Sequence, residues 1–536
     1  MKIIQMNFLF SGLCLISSSA ICSNLDLSIP AQYVKAKYGA ETATRQGSAS
    51  SNYILASFYL YGQRVRKNRE KGFEYIKQQA EKGSAAAQNN LGILYEKANG
   101  VSQNNEEAAK WFRKAAEQGN ANAQNNLALL YKKGKGVTQN NEEAVKWFRK
   151  AAEQGNATAQ NNLGIMYENG NGVKQNIKEA AKWFRKAAEQ DNASAQNNLA
   201  LLYEKGNGVT QNNEEAAKWF RKAAEQGNTH AQNHLGFMYL NGNGVARNNK
   251  EAIKWFREAA ERGYAIAQNN LAILYENGNG VAQNNEEAAK WFRKAAERGN
   301  TNAQNNLALL YIKGNGVNQN YEEAAKWFRK AAEQGNAVAQ VNLALLYIKG
   351  NGVNQNYEEA AKWFRKAAEQ GNGAAQNNLG LLYENGNGVK QNYREAMKWY
   401  RKAAEQDNAN AQNNLGLLYL KGYGITRDYR EAIKWFRKAA ERGIANAQNN
   451  LSWGYAVCTF GCNGKQAKYW ADKLLASSPP PSFLDTAAAA YARAGIYKKA
   501  VEFEQRGISR LKDDKEIEDF KSRLALYQKN MPYSEH

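Results

Sequence analysis

The chain has 536 residues, 43% of them hydrophobic, with 72 basic against 50 acidic side chains, three histidines and four cysteines. A formal charge of +22 invites a nucleic acid as partner, but the basic residues are interleaved with glutamates rather than drawn into one stripe, and the export signal described next argues against that class. After the first twenty or so residues no apolar run reaches the about 18 residues that a membrane-spanning helix needs.

Met1 and Lys2 precede an apolar run from Ile3 to Ile16, followed by Ser17, Ser18, Ser19 and Ala20. This pattern predicts a secretory signal peptide over 1–22, with cleavage after Ala20 or Cys22, because the apolar core is too short and too interrupted to span a bilayer. Leu13 and Ile21 stand before Cys14 and Cys22, where a lipid-anchored protein needs a small residue, so the expectation is a soluble exported protein, periplasmic or secreted, from a bacterium. Residues 23–47 form a polar lead-in. Over 48–83 a degenerate unit places Leu55, Tyr59 and Tyr75 where later units have Leu91, Tyr95 and Trp111. Its polar, basic character suits an end unit that covers the open core of a stack.

From 84 to 443 the chain repeats. An Ala-Gln pair recurs every 36 residues at Ala87, Ala123, Ala159, Ala195, Ala231, Ala267, Ala303, Ala339, Ala375, Ala411 and Ala447. A constant period without insertions marks a helical repeat array. In the copy that starts at Ala123, apolar residues Ala121, Ala123, Leu127, Leu130 and Tyr131 predict a first helix, and Ala144, Trp147, Phe148, Ala151 and Ala152 a second. Gly134 and Gly136 make the turn between them, Gly155 and Asn156 end the second helix, and Asn140 or Asn141 caps its start ahead of two glutamates. The fold class is all-α.

The run A-x-A-Q-x-x-L-(G/A)-x-x-Y-x-x-G-x-G-V, followed by E-A-x-K-W-(F/Y)-x-K-A-A-E-Q-G, resembles the Sel1-like repeat, a relative of the tetratricopeptide repeat. The resemblance covers roughly 49–475. It implies a right-handed α/α superhelical solenoid of 36-residue helix-turn-helix repeats, with first helices lining a concave surface, acting as a non-catalytic scaffold without cofactors. The chain departs from the family at the start of the second helix, where Asp is usual; here Asn104, Asn140, Asn176 and Asn212 stand in its place and only Asp428 keeps it. Cysteine-rich members linked to β-lactam hydrolysis carry staples that this chain lacks, so neither those staples nor that activity is expected.

Gln-Asn-Asn near the start of each first helix sets Asn125, Asn161, Asn197, Asn233, Asn269 and Asn305 at one register position. Asparagine is a poor helix former, so its recurrence has two readings. One is a mutual hydrogen-bond ladder between adjacent repeats; the other is a polar groove that receives an extended peptide or a glycan. The tryptophans from Trp111 to Trp435 lie on the alanine-rich side of the second helix and are read as core rather than sugar platforms. His230 and His234 are four apart on one helix, but with no third ligand in the pattern no metal site is expected. The repeated glutamate pairs, such as Glu106-Glu107, are solvated helix starts rather than a catalytic dyad.

The altered repeat over 444–476 carries Cys458 and Cys462, read as a disulfide in an oxidising compartment, against free thiols or a metal pair. Over 477–536, prolines 479–481 interrupt the helical run, after which Leu484 to Gly495 and Tyr497 to Leu511 predict a tetratricopeptide-like hairpin and Glu516 to Gln528 a capping helix. The functional expectation is an exported scaffold for protein partners, in envelope assembly, signalling or host interaction. The alternative is a protein that binds or modifies peptidoglycan or another anionic envelope polymer. Nucleic acid is not expected as a partner.

Overall fold

The computed structural model describes Tyr59, residues 68–475 and residues 480–534. The expected leader over 1–22, the lead-in over 23–47 and most of the front of the unit 48–83 lie outside these residues. Among the described residues there are twenty-six helices and no strand, and no helix is long and apolar enough to cross a membrane. The chain divides into two compact units, Met1–Ala246 and Arg247–His536. Within each, every helix packs on the one before it and the one after it, which makes each an all-α repeat stack.

One repeat shows why the sequence folds this way. The first helix, Ala121–Lys133, is capped by Asn120, whose side chain accepts from the Ala123 N–H at 2.9 Å, and it ends on Gly134 at φ 66°. The second, Asn141–Glu153, is capped by Asn140, which accepts from the Glu143 N–H at 2.9 Å, with Glu142 and Glu143 in its first turn. A cap oxygen satisfies one of the free amide groups of a helix start, and the acids suit the positive end of its dipole. Asn156, expected to end the second helix, instead begins the next repeat: its side chain caps Ala157–Asn169. Gly155, at φ 86°, makes the turn before it.

The core consists of the alanines, leucines and phenylalanines. Phe148, Ala144, Ala151, Leu127 and Ala128 are wholly buried. Burying one such ring stabilises by about 1.5–3 kcal/mol, and its neighbour must be small. A Cβ on Gly92 would lie 2.7 Å from the Phe112 ring, and one on Gly164 would lie 2.6 Å from Phe184. The tryptophans are less central than expected. Trp255, Trp291, Trp363, Trp399 and Trp435 are buried, but Trp111, Trp147, Trp183, Trp219 and Trp327 are half-buried at the edge of the interface. Phenylalanine, which has no N–H to satisfy, takes the wholly buried position.

In the second unit the altered hairpin, Ala445–Ala456 and Gly464–Leu474, is followed by Pro481–Arg493, Tyr497–Ile508 and Asp514–Gln528. The third of these starts three residues earlier than the sequence predicts. Pro481 sits at its first position, where a missing N–H costs nothing and the fixed φ suits a helix.

Candidate functional site

Each first helix leaves one stripe uncovered. Residues at offsets 0, 4, 7 and 11 along a helix share a side, and on Ala121–Lys133 these are Asn122, Asn126, Leu129 and Lys133. Asn122 and Lys133 are exposed and the other two half-buried. The opposite side, Ala123, Gln124, Asn125, Leu127, Ala128 and Leu130, is buried. The same stripe recurs in the second unit, for example at Asn302, Asn306, Leu309 and Lys313, and at Val338, Asn342, Leu345 and Lys349. Its outer amide and its apolar residue hardly change among copies. Its first position varies from Asn122 to Thr158, Ser194, Ile266 and Val338, the last two 45% and 53% exposed.

The six asparagines read from the sequence as either a hydrogen-bond ladder or a polar groove lie inward of this stripe, in the arrangement of the ladder. Asn125, Asn161, Asn197, Asn233, Asn269 and Asn305 are only 6–8% exposed. Asn162 donates through Nδ2 to Asn125 Oδ1 at 3.0 Å, Asn198 donates likewise to Asn161 at 3.0 Å, and in the second unit Asn342 donates to Asn305 at 3.0 Å and Asn306 to Asn269 at 3.3 Å. The amides therefore form rungs between neighbouring repeats, and a ligand on this face meets the outer asparagine of each pair first. Val341 has no amide to offer, so the rung from Asn378 is missing there. Beside the rungs runs a second ladder. Gln124 donates to the Ala116 carbonyl at 3.1 Å, closing the end of the preceding helix, and accepts from Gln154 at 2.7 Å. Periodicity alone could have found the open stripe, because offsets 0, 4, 7 and 11 are visible in the sequence. Which amide of the pair faces outward depends on the neighbouring repeat.

The second-helix side is a lattice of satisfied charges. Lys110 bonds Glu107 at 2.7 Å, and that partner holds its ammonium above the usual range. Lys114 lies 4.3 Å above the Trp111 ring, an arrangement of cation over aromatic repeated at Lys150, Lys294 and Lys366. Arg149 donates to the Tyr167 hydroxyl at 2.7 Å and Arg329 to Tyr347 at 2.8 Å, tying each second helix to the following repeat. These rings are covered by ammonium groups rather than open for stacking.

His234 stacks on Phe220, with centroids 5.0 Å apart, and its Nδ1 is 3.7 Å from Glu204; burial lowers its affinity for a proton. Among the described residues no group of three or more His, Cys, Asp or Glu is placed to hold a metal ion. Asp191 and Asp407, which replace the glycine after the second helix, both adopt positive φ, and Asp407 pairs with Arg442 at 2.9 Å. Cys458 and Cys462 are joined by a disulfide.

With this geometry in place, comparison with known proteins gives a consistent result. The Sel1 repeat family matches eleven consecutive units, from residues 49–84 to 409–444. A crystal structure of a protective antigen present in uropathogenic Escherichia coli strains, which displays an SLR fold, is 36% identical, covers 89% of this chain and 98% of its own, and superposes with a TM-score of 0.62. A Sel1 repeat protein from Oxalobacter formigenes is 35% identical over 58% of this chain and 90% of its own, with a TM-score of 0.48. No curated protein matches the chain.

Proposed function

The chain belongs to the Sel1 repeat family, and on that premise we propose that it is an exported scaffold whose first-helix face binds a partner protein along an extended segment. Sel1 repeat proteins are in general non-catalytic scaffolds, and repeat arrays of this kind bind protein partners. The observation that carries the reading is the open stripe. An outer amide and a half-buried aliphatic residue recur at fixed register, while the exposed first position changes from repeat to repeat. Fixed amides suit a peptide main chain, and variable positions suit its side chains. Because the surface is built before binding, many weak contacts add with little loss of ordering entropy in the scaffold.

Export rests on the leader pattern over 1–22 and on the Cys458–Cys462 bond, which suits an oxidising compartment. The similarity to a protective antigen supports a location outside the cytoplasm. Within that compartment the expected roles are envelope assembly, regulation of a signalling protein or contact with a host.

The test is affinity capture from the organism's own envelope fraction, comparing the native chain with a variant that combines Lys313→Glu, Val338→Glu and Lys349→Glu. All three positions are exposed on the first-helix stripe. A protein partner whose recovery falls at least about tenfold, a difference of about 1.4 kcal/mol, and which survives a control Glu333→Lys on the second-helix side, supports the proposal. Equal recovery in all forms overturns the assignment of the face. Recovery of peptidoglycan in place of protein transfers the chain to the glycan-binding class.

A further inference from the structure

The first-helix face is open in the regular repeats, but at one place it carries part of the chain itself. Trp453 on Ala445–Ala456 occupies the register position held by Leu381 and Leu417 in the two preceding repeats. Residues 531–534, which follow Asp514–Gln528 without helical structure, return to it. The Tyr533 ring stands 6.1 Å from the Trp453 ring, centroid to centroid, and Arg523 lies over the Tyr533 ring at 5.7 Å. Arg493 fastens the segment. Its Nε donates to the Ala456 carbonyl at 2.6 Å, while Nη2 donates to the Tyr533 carbonyl at 2.7 Å and to the Ser534 hydroxyl at 2.5 Å. Ser534 Oγ also lies 4.0 Å from Cys458 Sγ.

We propose that Trp453 and Arg493 form a docking site for an extended peptide of a partner protein that presents an aromatic residue followed by a hydroxyl residue, and that residues 531–534 fill this site in cis. Three features support exchange. The guanidinium reads a main-chain carbonyl and a hydroxyl, which any extended Tyr-Ser or Phe-Thr pair supplies. The filling segment is not itself part of a helix, and its first residue, Met531, is 50% exposed. The site also continues the stripe of Leu381 and Leu417, so a peptide that displaces the segment can run on over the preceding repeats. The proposal deepens the reading of the first-helix face as a peptide-binding surface and rests on it.

A tethered segment competes at an effective concentration on the order of millimolar, so the native chain should bind such a peptide weakly until the site is opened. The probe is a fluorescein-labelled peptide of sequence 529–534, titrated by anisotropy against the native chain, a variant ending at Asn530, and a full-length variant carrying Tyr533→Ala and Ser534→Ala. The last form opens the site without a deletion, and helix content measured on each form shows that it is folded. The expected result is a Kd at least about tenfold lower for both opened forms than for the native chain, and a similar loss when the peptide's tyrosine is replaced by alanine. Equal affinity for opened and native forms, or no binding to either opened form, overturns the proposal. Dimerisation of the native chain through exchanged segments also overturns it, because the occupant is then a second copy. If this titration fails while capture still depends on Lys313, Val338 and Lys349, the face stands and only the site at Trp453 falls. If the titration succeeds while capture is indifferent to those residues, the site stands without the longer track.

Discussion

At the scale of single residues the repeat is held to its form by glycines that are not equivalent. Gly134 and Gly136 both have positive φ, 66° and 67°. A Cβ on Gly134 would meet nothing nearer than the Gln139 Cβ at 3.1 Å, and Ala98, at φ 54°, fills the corresponding position in an earlier copy. A Cβ on Gly136 would lie 2.0 Å from the Asn105 carbonyl oxygen, at the start of the preceding second helix. Gly134→Ala should therefore cost only the left-handed penalty, about 1 kcal/mol. Gly136→Ala forces two backbones apart and should cost about 3 kcal/mol or more. Guanidinium unfolding with hydrogen exchange on Asn105–Glu117 and Ala121–Lys133 measures both, and similar losses for the two would contradict the geometry.

At the scale of the element, how much could be read beforehand depended on whether its partners were near in sequence. The two helices of a repeat, their glycine ends and a cap at Asn140 or Asn141 follow from spacing alone, because each rests on residues within a few positions, and the structure gives the cap to Asn140. Whether the recurring asparagines form a ladder or a groove stayed open in the sequence, since their direction is set by a rung to a neighbour 37 positions away, as from Asn162 to Asn125. The least legible group lies among the last three helices, where Arg523 bonds Asp485 at 2.7 Å and approaches the fully buried Glu504 at 3.7 Å. Spacing does not mark them, because three different helices bring them together. Burial, and then the neighbouring Asp485 carboxylate, push the Glu504 carboxyl up to about 10, and burial also raises Asp485. A carboxyl that keeps its proton in the folded state and loses it on unfolding favours the fold fully below its ordinary value of 4.5, and that contribution is lost as pH rises to about 10. Hydrogen exchange over Pro481–Arg493 and Asp514–Gln528 should thus show less protection at pH 9 than at pH 5. Glu504→Gln, neutral throughout, should flatten the dependence; parallel profiles for the two chains would mean that Glu504 is ionised in the fold.

At the scale of the whole molecule, the stability of each unit is a chain of neighbouring interfaces rather than one core, because within a unit each helix packs chiefly on the helices before and after it. In such an array the free energy approximates a sum of repeat and interface terms. The interfaces within the second unit are close copies: Phe292, Phe328 and Phe364 are all buried to within 1% exposure and stand at one register position. Removing residues 301–336, one matched repeat, brings 265–300 against 337–372 and recreates an interface of the same kind. The bond that Gln334 donates to Gln304 departs with the excised repeat, while Gln340 can still close the end of the helix now placed before it. The shortened chain should keep its helix content per residue, with flanking repeats protected from hydrogen exchange to within about tenfold, or about 1.4 kcal/mol. Removing 308–342 instead, one residue fewer and with both cuts inside first helices, leaves an extra residue after Leu307, turns each following position of that helix by about 100° and puts Leu343 at the wholly buried position of Ala308. That chain should lose protection on both sides of the cut. If the two deletions behave alike, the copied register is not what joins the repeats, and the fixed first-helix stripe loses its physical basis as a continuous binding track.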